Sequence, residues 1–111
     1  MNNVRDFQYR APRFDTDFRF LLLTDLGQCV IYGRCNEISE YGMAASLSEP
    51  LEVNTTVTLI LTLPGEATEM TIKAAVSRRH GYDHALTFIS PSAAEFVHLR
   101  QYLLPQHNPR D

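Results

Sequence analysis

The amino-acid sequence predicts a mainly β protein, a small six-stranded antiparallel β-barrel with a C-terminal α-helix. Short runs of β-branched and apolar residues recur at regular spacing, turn residues separate them, and an apolar stripe of helical period follows. Closing the strands into a barrel removes the edges that an open sheet of short strands would expose. The strands are expected at residues 16–24, 28–38, 43–48, 56–63, 68–78 and 84–90.

The fourth and fifth predicted strands show the clearest alternation of apolar and polar side chains. Because successive side chains of a strand point to opposite faces, every second residue shares one face. A turn at Pro64-Gly65 joins these strands into a hairpin. The residues expected on the inner faces are Val57, Leu59, Leu61 and Leu63 in one strand and Met70, Ile72, Ala74 and Val76 in the other.

The second predicted strand does not fit one regular alternation. If Glu37 and Ser39 share an outer face, Asn36 and Arg34 point toward the core. Burying two polar side chains would be costly. We therefore expect a β-bulge near Cys35, because one extra residue reverses the faces upstream of it.

The spacing of the apolar residues changes from two to three or four near the end of the chain. Ser90 followed by Pro91 is typical of a helix start, a capping residue before a proline in the first turn. Pro105 is expected to end this helix, because proline lacks the backbone amide that a longer helix would use. The stripe expected to pack on the barrel consists of Phe96, Leu99 and Leu103.

The length of 111 residues suits one domain with one core, and the 44% apolar and 21% charged shares are ordinary for a globular protein. That domain is expected at residues 9–104, between a flexible N-terminal arm at 1–8 and a C-terminal tail at 105–111. No apolar run is long enough to span a bilayer, which predicts no membrane insertion. Without a secretory leader, Cys29 and Cys35 are expected to be reduced, buried or half-buried thiols of a cytoplasmic protein.

Several kinds of chemistry lack the residues that they need. The net charge of −3 disfavours a general nucleic-acid binder, since such proteins usually have a basic balance. The 4 histidines have no cysteine or carboxylate at ligand spacing, so no metal site and no cofactor is predicted. Ser39 lacks the preceding glycine of a nucleophile elbow, and no glycine-rich phosphate loop is present. A binding module is expected rather than an enzyme.

A small polar cup is predicted where the second strand ends. Glu37 and Ser39 are two residues apart, so on an extended strand their side chains leave one face. Gly42 permits a sharp turn or the close approach of a ligand. Upstream, Arg10 and Arg13 precede the first strand, and arginine pairs with phosphate and with the O6/N7 edge of guanine. A tight turn capped by the serine is the simpler interpretation of this stretch.

Basic residues before a barrel strand, together with an acid, a hydroxyl and a glycine at a strand end, resemble the PilZ family. These are bacterial receptor domains for the second messenger cyclic di-GMP. The family pattern is two arginines spaced by three residues and, later, Asp or Asn, any residue, Ser, two residues and Gly. Here Arg10 and Arg13 are spaced by two residues, and Tyr9 stands where the first arginine is expected. Glu37 stands where Asp or Asn is expected, and Asn36 lies one residue early.

The resemblance covers about residues 9 to 104 and implies a cyclic di-GMP site. The two arginines would clamp phosphates and the guanine Hoogsteen edge, and the serine hydroxyl would hydrogen-bond to the ligand. The carboxylate would accept from a guanine N–H, with the neighbouring asparagine standing in if the bulge shifts the register. The glycine would leave room for the ligand. The implied binding residues are Arg10, Arg13, Asn36, Glu37, Ser39 and Gly42.

In this interpretation, ordering of the N-terminal arm around the ligand signals to a partner protein. One alternative is a degenerate PilZ-like adaptor that does not bind cyclic di-GMP and acts through protein–protein interaction. A barrel that binds single-stranded nucleic acid would need aromatic residues interleaved with a basic groove. The pair Arg78-Arg79 would either be solvated or add positive charge beside the cup. The sequence leaves that choice open, together with the partner and the oligomeric state.

Overall fold

A computed structural model describes residues 12–24, 29–89 and 93–106 of the chain. The predictions on the N-terminal arm, on Arg10, on the helix start at Ser90-Pro91 and on the tail beyond residue 106 lie outside these ranges. The described elements are β1 (Phe14–Leu23), β2 (Val30–Ile38), β3 (Gly42–Leu47), β4 (Thr56–Thr62), β5 (Glu69–His80), β6 (Asp83–Phe88) and α1 (Ala93–Gln106).

The six strands form one closed antiparallel barrel in the order β1-β2-β3-β6-β5-β4. Pairing of β1 with β4 closes it, with Leu21 opposite Ile60 and Leu22 opposite Leu59. Because every strand has a partner on each side, the barrel presents no edge strand for pairing with another chain. The predicted fold class is confirmed.

The barrel interior contains the side chains that the alternation placed there. All eight predicted inward residues of β4, β5 and the turn between them are buried, from Leu59 and Ala74 at 0% exposed to Met70 at 5%. Leu22 and Leu86 belong to the same apolar cluster. Each fully buried aliphatic side chain contributes about 1.5–3 kcal/mol, so this cluster is the main stabilising element of the fold.

Helix α1 packs on this cluster through Leu99 and Leu103, which are both buried. The side chain of Phe96, the third residue of the predicted stripe, lies outside the described part of the chain. The helix ends at Gln106, so the prediction that Pro105 ends it is wrong by one residue. A proline there removes a single intrahelical hydrogen bond, and only in the last turn. No helix among the described residues is long and apolar enough to cross a membrane.

Strand ends differ from the prediction where polar residues pair with a neighbouring strand. β1 begins at Phe14 and includes Asp15, which pairs with Glu37 of β2, and β5 continues to His80, which pairs with Asp83 of β6. Backbone groups of any residue can join a sheet, so side-chain polarity is a poor guide to where a strand stops. The predicted turn at Pro64-Gly65 is confirmed, and a second turn contains Gly81, with left-handed φ values of 86° at Gly65 and 63° at Gly81.

The two cysteines are both free, but their environments differ. Cys35 lies inside the barrel, where desolvation raises the pKa of its thiol to about 12. Cys29 lies before β2 and is exposed, so the expectation of a buried or half-buried thiol is wrong for this residue.

Candidate functional site

A β-bulge lies in β2 where the alternation predicted one. The register with β3 passes from Cys35 opposite Ala45 to Glu37 opposite Ala44, so Asn36 is the extra residue. Cys35 points into the core, whereas Asn36 is exposed and Glu37 is half-buried. The bulge therefore places the Glu37 side chain on the outer face without burying the asparagine.

Ser39 organises the turn between β2 and β3. Its backbone N–H donates to the carbonyl of Gly42 at 2.9 Å. Its hydroxyl oxygen accepts the N–H of Tyr41 at 3.1 Å and donates to the carbonyl of Gly42 at 3.5 Å. This is the capped turn that the simpler interpretation of the sequence describes. The hydroxyl still has a lone pair that is not used in the turn.

Gly42 lies where β3 passes close to β6. A Cβ atom built at this position would be 2.3 Å from the carbonyl oxygen of Leu86, a backbone atom that cannot swing aside. The sequence suggested that this glycine leaves room for a ligand. In the structure it leaves room for the neighbouring strand, and its position beside the turn places it at the site as well.

Glu40 connects the same turn to α1. It is one of two buried polar residues among those described, with 8% of its surface exposed. Its Oε1 lies 3.5 Å from Nε of Arg100 on the helix. Sequence analysis did not identify this pair, because nothing in the order of residues brings position 100 to the turn. An acidic residue inside the polar stretch was the signal available.

A cleft of about 320 Å³ opens on the outer face of the barrel beside this turn. A row of paired residues crosses it, from Glu37 on β2 through Ala44 on β3 and Ala85 on β6 to Arg78 on β5. The cleft is lined by Arg13, Glu37, Ile38, Ser39, Tyr41, Gly42, Met43, Ala44, Ser77, Arg78, Ala85, Leu86 and Thr87.

The near wall of the cleft, formed by Arg13, Glu37 and Ser39, contains most of the site residues that the sequence indicated. Arg13 Nη1 lies 3.7 Å from Glu37 Oε1, with 65% and 36% of the two side chains exposed. Such a solvated pair is weak, about 0–1 kcal/mol, so each group remains available to a ligand. Gly42 lies beside them. Asn36 does not line the cleft, because the bulge turns it into solvent.

The far wall of the cleft is formed by Ser77, Arg78 and Thr87. A second irregularity in β5 follows Val76, and after it Arg78 stands opposite Ala85. The Thr87 hydroxyl donates to Ser77 Oγ at 3.0 Å, and the Ser77 hydroxyl donates to the carbonyl of Ala85 at 3.1 Å. Of the basic pair that the sequence left undecided, Arg78 lines the cleft and Arg79 does not.

Metal ligands do not gather anywhere in the described ranges 12–24, 29–89 and 93–106, which contain no group of three or more His, Cys, Asp or Glu residues suited to an ion. The buried His84 is occupied by structural bonds. Its Nε2 accepts the N–H of Leu51 at 3.0 Å, and its Nδ1 donates to the carbonyl of Tyr82 at 2.8 Å. The cleft offers two guanidinium groups, one carboxylate and an apolar floor, which is a set of groups for binding.

Comparison with known proteins gives a family and a fold. The PilZ domain family profile matches residues 7–104. The crystal structure of the PilZ domain of CeSA from a cellulose synthesizing bacterium is similar, with a TM-score of 0.70 and 16% identity over 88% of this chain and 100% of that one. The inhibitor of motility MotI/DgrA of Bacillus subtilis has a TM-score of 0.72 and 18% identity over 89% of this chain and 50% of its own. No curated protein sequence matches significantly.

Proposed function

Because this chain belongs to the PilZ domain family, we propose that it is a receptor whose outer cleft binds cyclic di-GMP. PilZ domains are binding modules and not enzymes, and members act as cyclic di-GMP receptors or as adaptors. One observation carries the proposal: Arg13, from the first half of the family pattern, lines a single cleft with Glu37, Ser39 and Gly42 from the second half.

The near wall has the polarity that a guanine nucleotide needs. The Arg13 fork donates to phosphate oxygens or to O6 and N7 of guanine, and Glu37 accepts from a guanine N–H. Binding requires Arg13 to exchange its carboxylate partner for the ligand. A charge-assisted ligand contact is worth about 1.5–3 kcal/mol, more than the solvated pair that it replaces. The exchange therefore favours binding.

Calorimetry with cyclic di-GMP tests the proposal directly. The parent protein should bind with an affinity in the micromolar range or better. Arg13→Ala should weaken binding roughly ten- to a hundredfold, because it removes a charge-assisted contact. Arg13→Lys should recover little, since lysine keeps the charge but lacks the planar fork. No heat from the parent at high ligand concentration would end the receptor proposal.

Arg19 provides the matched control for this experiment. It lies on β1, is exposed and carries the same charge, but it does not line the cleft. Arg19→Ala should bind cyclic di-GMP within about twofold of the parent, because an exposed charge that does not line the cleft is screened by solvent and salt. An equal loss in Arg13→Ala and Arg19→Ala would mean that general charge, and not a contact, governs affinity.

Transmission of the signal is the second half of the proposal. We propose that the bound ligand orders the N-terminal arm and that a partner protein recognises the ordered arm. Trypsin cleavage at Arg5 reports on this segment. Saturating cyclic di-GMP should slow cleavage there in the parent and not in Arg13→Ala. Equal cleavage rates with and without ligand in a protein that binds would contradict the mechanism and leave the receptor function standing.

The adaptor alternative is favoured by an apolar patch elsewhere on the barrel. Leu21, Val30 and Tyr32 lie on the outer face of β1 and β2 and are exposed by 36%, 52% and 66%. Leu21 and Tyr32 are cross-strand partners, so the apolar surface is continuous between them. A patch of this kind is typical of a protein-binding surface. If the parent binds no cyclic di-GMP, this patch is the place to introduce Tyr32→Ser and test partner binding.

A further inference from the structure

The floor of the cleft consists of two alanines. Ala44 on β3 and Ala85 on β6 are cross-strand partners, and both are half-buried on the outer face of the barrel. Each side chain ends at a methyl group, so the floor between the two walls is low and apolar. A flat apolar surface of this kind suits the face of a planar ring.

The far wall stands one strand beyond that floor. Glu37, the two alanines and Arg78 occupy consecutive strands of one row, and three strand spacings correspond to roughly 14 Å. A single base held by Arg13 and Glu37 would leave Arg78 unused. A ligand that reaches both walls has a second base, or another group of similar size, over the floor.

Among the described residues, no carboxylate pairs with Arg78, the second cation of this cleft. Several arginines have carboxylate partners: Arg13 with Glu37, Arg34 with Asp17 and Arg100 with Glu40. Within residues 12–24, 29–89 and 93–106, Arg78 has no such partner. Its guanidinium protons are therefore available to a ligand, and no internal pair has to break first.

Arg78 is the side-chain hydrogen-bond donor that the far wall offers to a ligand, because both hydroxyl groups of the wall use their protons within the protein. The proton of Thr87 is directed at Ser77, and that of Ser77 at the carbonyl of Ala85. The part of a ring edge that faces the arginine fork must therefore present acceptors. Guanine presents two, O6 and N7, on one edge, whereas adenine presents N7 beside an amino donor.

We propose that Ala44, Ala85 and Arg78 form a second base subsite, in which a guanine ring lies on the alanine floor and Arg78 donates to its O6 and N7. This inference rests on the proposed function and assigns the half of the ligand remote from Arg13. It predicts that Arg78, which lies outside the arginine motif, sets the preference for guanine over adenine at this second base.

Calorimetry with cyclic di-GMP and cyclic di-AMP on parent, Arg78→Ala and Arg79→Ala proteins tests this subsite. Arg79 is the neighbouring exposed arginine on β5 and does not line the cleft. Arg78→Ala should lose roughly ten- to a hundredfold in affinity for cyclic di-GMP and the part of the preference over cyclic di-AMP that the second base contributes. Arg79→Ala should keep both within about twofold.

A steric pair of variants tests the alanine floor separately. Ala44→Val adds two methyl groups to the floor at a strand position where a β-branched residue is well tolerated. Ala75→Val makes the same change at a half-buried position of β5 that does not line the cleft. Ala44→Val should weaken cyclic di-GMP binding at least tenfold with an unchanged melting temperature, and Ala75→Val should not.

The outcomes separate this inference from the receptor function. If the parent binds and Arg13→Ala does not, while Arg78→Ala binds as the parent does, the second subsite is wrong and the receptor function stands. Equal losses for both dinucleotides in Arg78→Ala would overturn the assignment to the guanine edge in favour of a phosphate contact. A parent that binds neither dinucleotide overturns both proposals together.

Discussion

The interior of the barrel and the cleft on its outer face are built from side chains in different ways. Every second residue of each strand points into the interior. Residues such as Leu59, Leu61 and Val76 are therefore buried together with the alternate residues of their own strands. The cleft is lined by one or a few residues from each of several strands, and two strands separate Glu37 from Arg78. The interior thus depends on local periodicity, and the cleft on the register between strands.

Two of the three irregularities in pairing among the described strands lie at the cleft. One bulge, at Asn36, turns Glu37 onto the near wall, and another, after Val76, brings Arg78 onto the far wall. The third lies between Asp15 and Phe18 of β1. Each extra residue reverses the faces of its strand, so a functional side chain can point outward while the core remains apolar. A break in the alternation of a strand therefore indicates a candidate binding site.

A charge placed in the interior gives the largest expected effect. Leu61→Asp or Val76→Asp should unfold the domain, because an unpaired buried carboxylate costs several kcal/mol and a whole domain is stable by about 5–15 kcal/mol. Circular dichroism melts would measure this. Thr71→Asp, on the exposed face of β5, is the control and should melt close to the parent. A parent-like melt of either interior variant would mean that its face is wrongly assigned.

The two regions meet at Gly42, where a substitution should damage both. Gly42→Ala should cost about 1–3 kcal/mol, because its Cβ would lie 2.3 Å from the Leu86 carbonyl oxygen and the two strands must separate. Gly33→Ala is the comparison, since its Cβ would instead meet the side chains of Phe20 and Leu47, which can move. Urea unfolding of the two variants would rank them. A Gly42→Ala protein as stable as the parent would contradict the close approach.

Thiol chemistry distinguishes interior from surface without changing a residue. In the native protein at neutral pH, a thiol reagent should modify Cys29 and leave Cys35 unmodified. After denaturation Cys35 should react as well, without prior reduction, because both thiols are free. The pKa of the Cys35 thiol is raised to about 12. The stability that the buried neutral thiol contributes is therefore present below the unfolded pKa of about 8.5 and is lost as the pH rises toward 12. Cys35→Ala should remove that part of the alkaline slope. Rapid native labelling of both thiols, or a Cys29–Cys35 bridge, would contradict this assignment.

The smallest effect is expected at Glu37, where a conservative substitution keeps the carboxylate of the cleft. Glu37→Asp restores the family residue and should leave cyclic di-GMP affinity unchanged or tighten it, because a shorter carboxylate holds Arg13 less closely. Calorimetry beside the parent measures the change, and the melting temperature should not move. A tenfold loss would show that the longer side chain of glutamate contacts the ligand in a way that aspartate cannot reproduce.

The sequence by itself determined the barrel, its inner faces and the near wall of the cleft. Alternation predicted the burial of residues such as Val57 and Ile72, and its failure before Glu37 predicted the bulge, because both follow from the period of a strand. The turn at Ser39 followed from side-chain chemistry that acts over three residues. Each of these features depends on neighbours along the chain.

Only the tertiary structure decided which distant residues complete the site. Pairing of β3 with β6 gave Gly42 its packing role, and the register of β5 separated Arg78 from Arg79 at the cleft. Packing of α1 supplied Arg100 to Glu40. These contacts join residues far apart in the chain, and a shift of one residue in register would exchange the faces of a whole strand. No short stretch of sequence specifies that register, so the residues of the far wall could be identified only from the folded barrel.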